Sequence, residues 1–149
     1  MTERSDFPIT PQDAATIETY RERVHALYDD VRAWLTGDAR FRCEQFPGTV
    51  TEAIGTYEID GLRVFADEQQ LLAFEPVGAV VLLGAGLVHL WGTVDHAALQ
   101  YFDSPTELFG GIVRSGWYWI DLRYDTRRFD RPVLFDILQE VSDFERDGC

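Results

Sequence analysis

The apolar residues of this chain repeat with a helical period near both ends and with a strand period in between. Short turns separate the strand-like segments. Connections of this length cannot hold a crossover helix, so consecutive strands must run antiparallel. A chain of 149 residues is long enough for one hydrophobic core. We therefore predict a single α+β domain over residues 1–149: an antiparallel meander sheet of about six to seven strands, flanked by an N-terminal and a C-terminal amphipathic helix.

The first helix is predicted to begin at Pro11, with Thr10 as its N-cap and Gly37 as its C-terminal cap. Its apolar residues follow steps of three and four along one stripe: Ile17, Tyr20, Val24, Leu27, Val31 and Trp34. The charged residues, Arg23 among them, fall largely on the other faces. A stripe this short is typical of a helix lying on a sheet rather than of a coiled coil.

The second helix is predicted near the C-terminus, with Asp130 as its N-cap and Pro132 near its start. Its stripe consists of Leu134, Ile137, Leu138, Val141 and Phe144. Residues 1–9 are expected to be flexible, and residues 145–149 are expected to fray.

The strand segments are separated by turn residues. Asp60-Gly61 predicts a type I′ hairpin between strands 56–59 and 62–65, because both central positions of that turn need positive φ. Asp67-Glu68-Gln69 is expected to reverse the chain into strand 70–74. Further strands are predicted at 79–83, 87–91, 97–102 and 117–122. Residues 104–107 have the form of a capping box and predict one helical turn.

The charge balance bears on partners. There are 26 acidic residues and 13 basic ones, and the chain contains no lysine, so the net charge is −13. Such a field opposes nucleic-acid binding and favours a basic protein partner. Two alternatives stay open, namely a GC-rich coding bias and adaptation to concentrated salt. The acids are dispersed evenly along the chain, which favours these alternatives.

The sequence also predicts a cytoplasmic location. Cys43 and Cys149 do not form a disulfide framework and are expected to be free thiols in a reducing compartment. The N-terminus lacks the basic and apolar regions of a signal peptide. The longest mostly apolar run, residues 79–91, is too short to span a bilayer.

The main candidate site is aromatic. Strand alternation places His89 and Trp91 on one face of their strand, and Trp117, Trp119 and Asp121 on one face of theirs. If these faces align, the five residues would line one concave surface that binds a ligand or a protein partner. The alternative is that these aromatic residues only pack in the core.

Three arginines form a second candidate site, for anions: Arg123, Arg127 and Arg128. A planar guanidinium group can bind a phosphate or a carboxylate through two hydrogen bonds. Acidic residues are interleaved at positions 121, 125 and 130, so a solvated loop with internal ion pairs is the alternative.

No catalytic constellation is evident. A metal site needs three or four converging ligands, whereas His89, Asp95 and His96 offer no such spacing. Cys43 is expected to be a half-buried strand thiol, and no serine lies in a nucleophile elbow. Gly84-Ala85-Gly86 is only half of a dinucleotide fingerprint. We therefore expect no enzymatic activity, metal or cofactor.

These observations favour a non-enzymatic acidic protein that binds and inhibits a protein partner, as an immunity protein, an antitoxin or a small subunit of a bacterial defence or regulatory complex would. The partner is expected to be basic, with no direct contact to nucleic acid or membrane. One alternative is a small-molecule binding module or enzyme that uses the aromatic and histidine residues. Another is a structural subunit that forms homo-oligomers.

Overall fold

The computed structural model describes residues 9–81, 84–105, 112, 114–121 and 126–144. In these ranges the elements are, in chain order, α1 (Pro11–Leu35), β1 (Phe41–Phe46), β2 (Thr49–Glu52), β3 (Gly55–Glu58), β4 (Gly61–Ala66), β5 (Gln69–Gly78), β6 (Leu87–Gly92), β7 (His96–Phe102), β8 (Gly116–Trp119), β9 (Arg127–Arg128) and α2 (Arg131–Val141). The predicted α+β domain, with two helices flanking an antiparallel sheet, is confirmed. The predicted flexible ends lie almost entirely outside the described residues.

Seven strands form one antiparallel sheet in the order β1-β4-β5-β6-β7-β8-β9. From β4 onward the strands follow the chain order, as in a meander. β1 pairs with β4 at one edge, and the separate β2–β3 hairpin is inserted between them in sequence. The short strand β9, at the other edge, was not predicted.

Both predicted N-caps are confirmed. The Thr10 hydroxyl accepts a hydrogen bond from the Asp13 amide at 3.0 Å, and the Asp130 carboxylate accepts one from the Val133 amide at 2.9 Å. These bonds satisfy amides that have no partner inside the helix. α1 ends at Leu35, and Gly37 has a φ of 100°, a left-handed conformation that glycine adopts without strain.

The two helices lie on the same face of the sheet. Their buried stripes form one core with alternate strand residues, which include Leu62, Phe74, Leu90 and Leu99. The cross-strand pairs Leu62–Phe74 and Phe74–Leu90 show that these residues share a face. The Tyr20 hydroxyl donates to the Leu87 carbonyl of β6 at 2.6 Å, which ties α1 to the sheet. In the described part of the chain, no helix covers the opposite face.

The predicted hairpin at Asp60-Gly61 is wrong. β3 pairs with β2 and β4 pairs with β1, so the two segments on either side of Asp60-Gly61 do not pair with each other. Gly61 does not have positive φ. A Cβ at Gly61 would instead lie 2.2 Å from the Phe46 ring, so glycine is required there for close packing.

The strand predicted at 79–83 is also wrong where the structure describes it. β5 continues through Pro76 to Gly78 and pairs directly with β6, and only Val81 forms an isolated bridge, with Gly84. Residues 82–83 lie outside the described part. The expected reversal at Asp67-Glu68 is confirmed. β6 and β7 match their predictions closely, whereas β8 ends earlier than expected, at Trp119. Half of the predicted capping box, residues 106–107, lies outside the described residues.

Candidate functional site

The face of the sheet that lies opposite the helices carries the most distinctive exposed side chains. We call this the outer face. In the strand register, Glu75 pairs with His89, and Trp91 pairs with His96. These four residues alternate with the buried core residues of β5, β6 and β7, so they all lie on the outer face. We refer to them together as the Trp91 cluster.

Trp91 is a large aromatic residue that the fold leaves 45% exposed. Its indole N–H donates to a Glu75 carboxylate oxygen at 2.8 Å. The His89 and His96 rings lie 5.4 and 5.3 Å from the Trp91 ring, measured between centroids. The hydrogen bond and the two flanking rings orient the indole. An oriented aromatic ring beside a carboxylate suits a cationic side chain, which gains a cation–π contact and an ion pair.

An acidic pocket adjoins this cluster at His96. Its volume is about 220 Å³, and its described lining includes Asp95, His96, Trp119, Asp121 and Glu140. The lining contains three carboxylates and no arginine. A negative pocket of this size favours a cationic group over an anionic one.

The other end of the outer face is electrically balanced. Arg42 of β1 forms ion pairs with Glu44 at 3.2 Å and with Glu68 at 3.3 Å. Arg63 of β4 lies 3.6 Å from the same Glu44. These arginines also lie over phenylalanine rings, at 4.1 Å from guanidinium carbon to ring centroid. The excess negative charge of the outer face therefore lies at the Trp91 end.

The five aromatic-site candidates do not line one surface as predicted. Trp119 pairs with Leu99, whose side chain points toward the helices, so Trp117 and Trp119 face away from His89 and Trp91. Trp117 is buried, and its indole N–H donates to the Arg23 carbonyl at 3.3 Å.

Trp119 and Asp121 approach the outer-face residues only at the acidic pocket, where both line the wall with His96. The predicted set therefore divides into His89 and Trp91 on the outer face, Trp119 and Asp121 at the pocket, and Trp117 on the helix side.

The three anion-site candidates also separate. Arg123 lies outside the described residues. Arg127 forms an ion pair with Asp136 at 2.7 Å, so its charge is already matched. Arg128 donates to the Ser115 carbonyl at 2.8 Å. Asp130 is occupied as the N-cap of α2.

The described residues contain no group of three or more His, Cys, Asp and Glu side chains arranged to hold a metal ion. His96 contacts the neighbouring Asp95, with 3.6 Å between Nδ1 and the carboxylate. Cys43 is a free, half-buried thiol, and burial raises its pKa, which keeps it protonated and unreactive at neutral pH.

No protein-family model, curated protein or solved structure matches this chain. Neither helix is long and apolar enough to cross a membrane within the part of the chain that the structure describes. The function must therefore be inferred from the surfaces themselves.

Sequence analysis missed two residues that matter here. Glu75 was missed because the strand was predicted to end at residue 74, whereas β5 continues to Gly78. Arg23 was assigned to the solvent-facing side of α1. Its position directly before Val24 and three residues after Tyr20 places it at the border of the apolar stripe, and that spacing was the available signal.

Proposed function

We propose that this protein is a non-enzymatic binding domain of the cytoplasm that docks a basic segment of a protein partner on its outer face. The observation that carries the proposal is the exposed Trp91 indole, which Glu75 orients beside an acidic pocket. Aromatic anchors of this kind supply most of the affinity at protein interfaces.

The charge distribution supports a basic partner. The chain carries a net charge of −13, which accelerates the approach of a cationic surface. Within the outer face, the arginines of β1 and β4 are paired with glutamates, while the Trp91 end keeps its excess acid. A basic segment is therefore directed toward Trp91.

The geometry suggests how the partner is held. One arginine or lysine of the partner stacks on the Trp91 ring and forms an ion pair with Glu75. A second basic side chain enters the acidic pocket beside His96. The bound domain would cover a basic surface that the partner otherwise uses to hold a polyanion. Inhibition by this cover is the role of an immunity protein or antitoxin, and we propose that role for this chain.

The test is affinity capture from an extract of the source cell with four baits: the wild type, Trp91→Ala, Glu75→Gln and Val80→Ala. Val80 is also an exposed apolar residue, at 58%, and it lies outside the proposed surface, so its variant is the matched control. We expect a stoichiometric basic protein with the wild type and the control. Trp91→Ala should weaken its binding by at least about thirtyfold, as the loss of an anchor does. Glu75→Gln should weaken binding less and reduce its dependence on salt.

Two results would contradict the proposal. Retention of the partner by Trp91→Ala at wild-type affinity would place the interface elsewhere. Recovery of no stoichiometric protein by any bait would count against a partner-binding role. Capture of a second copy of this chain alone would favour the self-associating subunit instead.

A further inference from the structure

A second pocket lies on the helix side of the sheet, between α1 and strands β7, β8 and β9. Its volume is about 310 Å³. Its wall includes four aromatic residues and two arginines: Trp34, Tyr101, Trp117, Phe129, Arg23 and Arg128. This volume is at the small end of the range for ligand pockets, so it suits a ligand with a single ring.

The aromatic residues form two edge-to-face pairs. The Tyr101 and Trp117 rings lie 5.3 Å apart between centroids at 77°, and the Trp34 and Phe129 rings lie 5.3 Å apart at 65°. The Trp117 indole N–H is engaged by the Arg23 carbonyl. The aromatic wall therefore offers mainly ring surface, which favours a flat apolar group.

Arg23 supplies positive charge to this wall. It is half-buried, and its guanidinium carbon lies 4.3 Å from the centroid of the Tyr101 ring. Its neighbours on α1, Arg21 and Arg32, form ion pairs with Glu18 and Asp29. Among the described residues, Arg23 has no such carboxylate partner. A half-buried guanidinium that makes only an aromatic contact retains donors for an anion.

Arg128 closes one end of the pocket. Its Nη1 donates to the Ser115 carbonyl, and a Cβ at Gly116 would lie 2.6 Å from the same nitrogen. Gly116 has a φ of 148°, so glycine is required there both by the backbone and by the close approach of the guanidinium. The carboxylate in the lining is that of the exposed Asp30. In a chain with a twofold excess of acid, this pocket has two guanidinium groups and one carboxylate.

We infer that this pocket binds a small anion with an aromatic ring, either an aryl carboxylate or an aryl phosphate. The ring lies against the aromatic wall, and Arg23 and Arg128 bind the anionic group. The pocket and the outer face are on opposite sides of the sheet, so this inference does not depend on the proposed protein partner.

The test is a titration of the ¹⁵N-labelled protein followed by NMR, with the indole N–H signals of Trp34 and Trp117 as reporters. Benzoate and phenyl phosphate are the two anionic probes. Benzamide has the ring without the charge, and inorganic phosphate has the charge without the ring. We expect saturable binding of at least one anionic probe, in the roughly millimolar range usual for ligands of this size. Benzamide and inorganic phosphate should each bind about tenfold more weakly.

Arg23→Gln should weaken binding of the anionic probe about tenfold, the order expected when a charge-assisted hydrogen bond is lost. Arg21→Gln makes the same change in net charge on the same helix but outside the pocket, so it should bind like the wild type. If the spectrum shows that Arg23→Gln is unfolded, Arg128→Gln makes the same test at the other end of the pocket.

Three results would overturn the inference: equal binding of benzamide and benzoate, wild-type affinity in the arginine variant, or failure of both anionic probes to shift the two indole signals. None of these results would bear on capture of a protein partner by the outer face.

Discussion

At the scale of single residues, Glu52 holds two parts of the fold together. Its carboxylate accepts a hydrogen bond from the Tyr57 hydroxyl and two more from the amides of Ala79 and Val80, at 2.9 and 3.2 Å. A Cβ at Gly78 would lie 2.9 Å from the same carboxylate, so the end of β5 leaves room for it. Glu52 thereby fastens the β2–β3 hairpin to the main sheet.

Glu52→Gln should lower the free energy of unfolding by about 1–3 kcal/mol. The new amide group would present donors toward donors, so at least one hydrogen bond would be lost in a half-buried site. Glu58→Gln, an exposed change of the same kind in the same hairpin, should change the free energy by less than about 0.5 kcal/mol. Urea denaturation of both variants measures the difference. Equal stabilities would show that the Glu52 contacts contribute nothing.

Tyr28 makes stability depend on alkaline pH. Burial raises the pKa of its phenol far above the ordinary value of 10.0, and the pKa values of Tyr20 and Tyr57 are raised for the same main reason. In the unfolded chain these phenols ionise near pH 10, whereas in the folded chain they stay neutral. The stabilisation is therefore complete below about pH 10 and is lost as the pH rises above it.

Tyr28→Phe should make the loss of stability above pH 10 less steep. At neutral pH the variant should be less stable by about 1 kcal/mol, because the Tyr28 hydroxyl donates to the Asp60 carbonyl at 2.8 Å. Thermal unfolding at several pH values between 8 and about 11 tests both effects. An unchanged slope would mean that this phenol does not couple folding to pH.

At the scale of elements, the turns show what could be predicted and what could not. The helices were predictable because their caps and stripes are local signals. Asp60-Gly61 has the residues of a type I′ turn, yet there tertiary contacts prevail: Asp60 accepts from Tyr28 and Gln45, and Gly61 packs under Phe46. The type I′ backbone occurs instead at Asp67-Glu68, where neither residue is glycine.

Asp67 and Glu68 have φ values of 52° and 66° and join the paired residues Ala66 and Gln69. A left-handed conformation costs a residue other than glycine about 1 kcal/mol. Glu68→Gly should therefore raise the free energy of unfolding by about 0.5–1 kcal/mol, despite losing an exposed ion pair with Arg42 that contributes little. Glu68→Gln removes the charge and keeps the strain, so it should give no gain. Destabilisation by Glu68→Gly in urea denaturation would contradict this account of the turn.

At the scale of the whole molecule, alternation along one strand identified which residues share a face, but not how the faces of different strands align. β6 and β8 are separated by β7, so their relative orientation depends on turns and register that a single sequence does not specify. His89 and Trp91 were therefore grouped with Trp117 and Trp119, from which the sheet separates them. The same uncertainty hid Arg23, whose surroundings exist only after α1 packs on the sheet.

The two sides of the sheet have different chemistry. The outer face presents Trp91 with excess acid, and the helix side has an aromatic pocket with two arginines. The central claim is that the outer face binds a basic partner, and hydroxyl-radical footprinting of the captured complex tests it most directly. We predict that Trp91 and His96 lose reactivity in the complex while the exposed His25 of α1 keeps its own. Full reactivity of Trp91 in the complex, with protection elsewhere, would contradict the account.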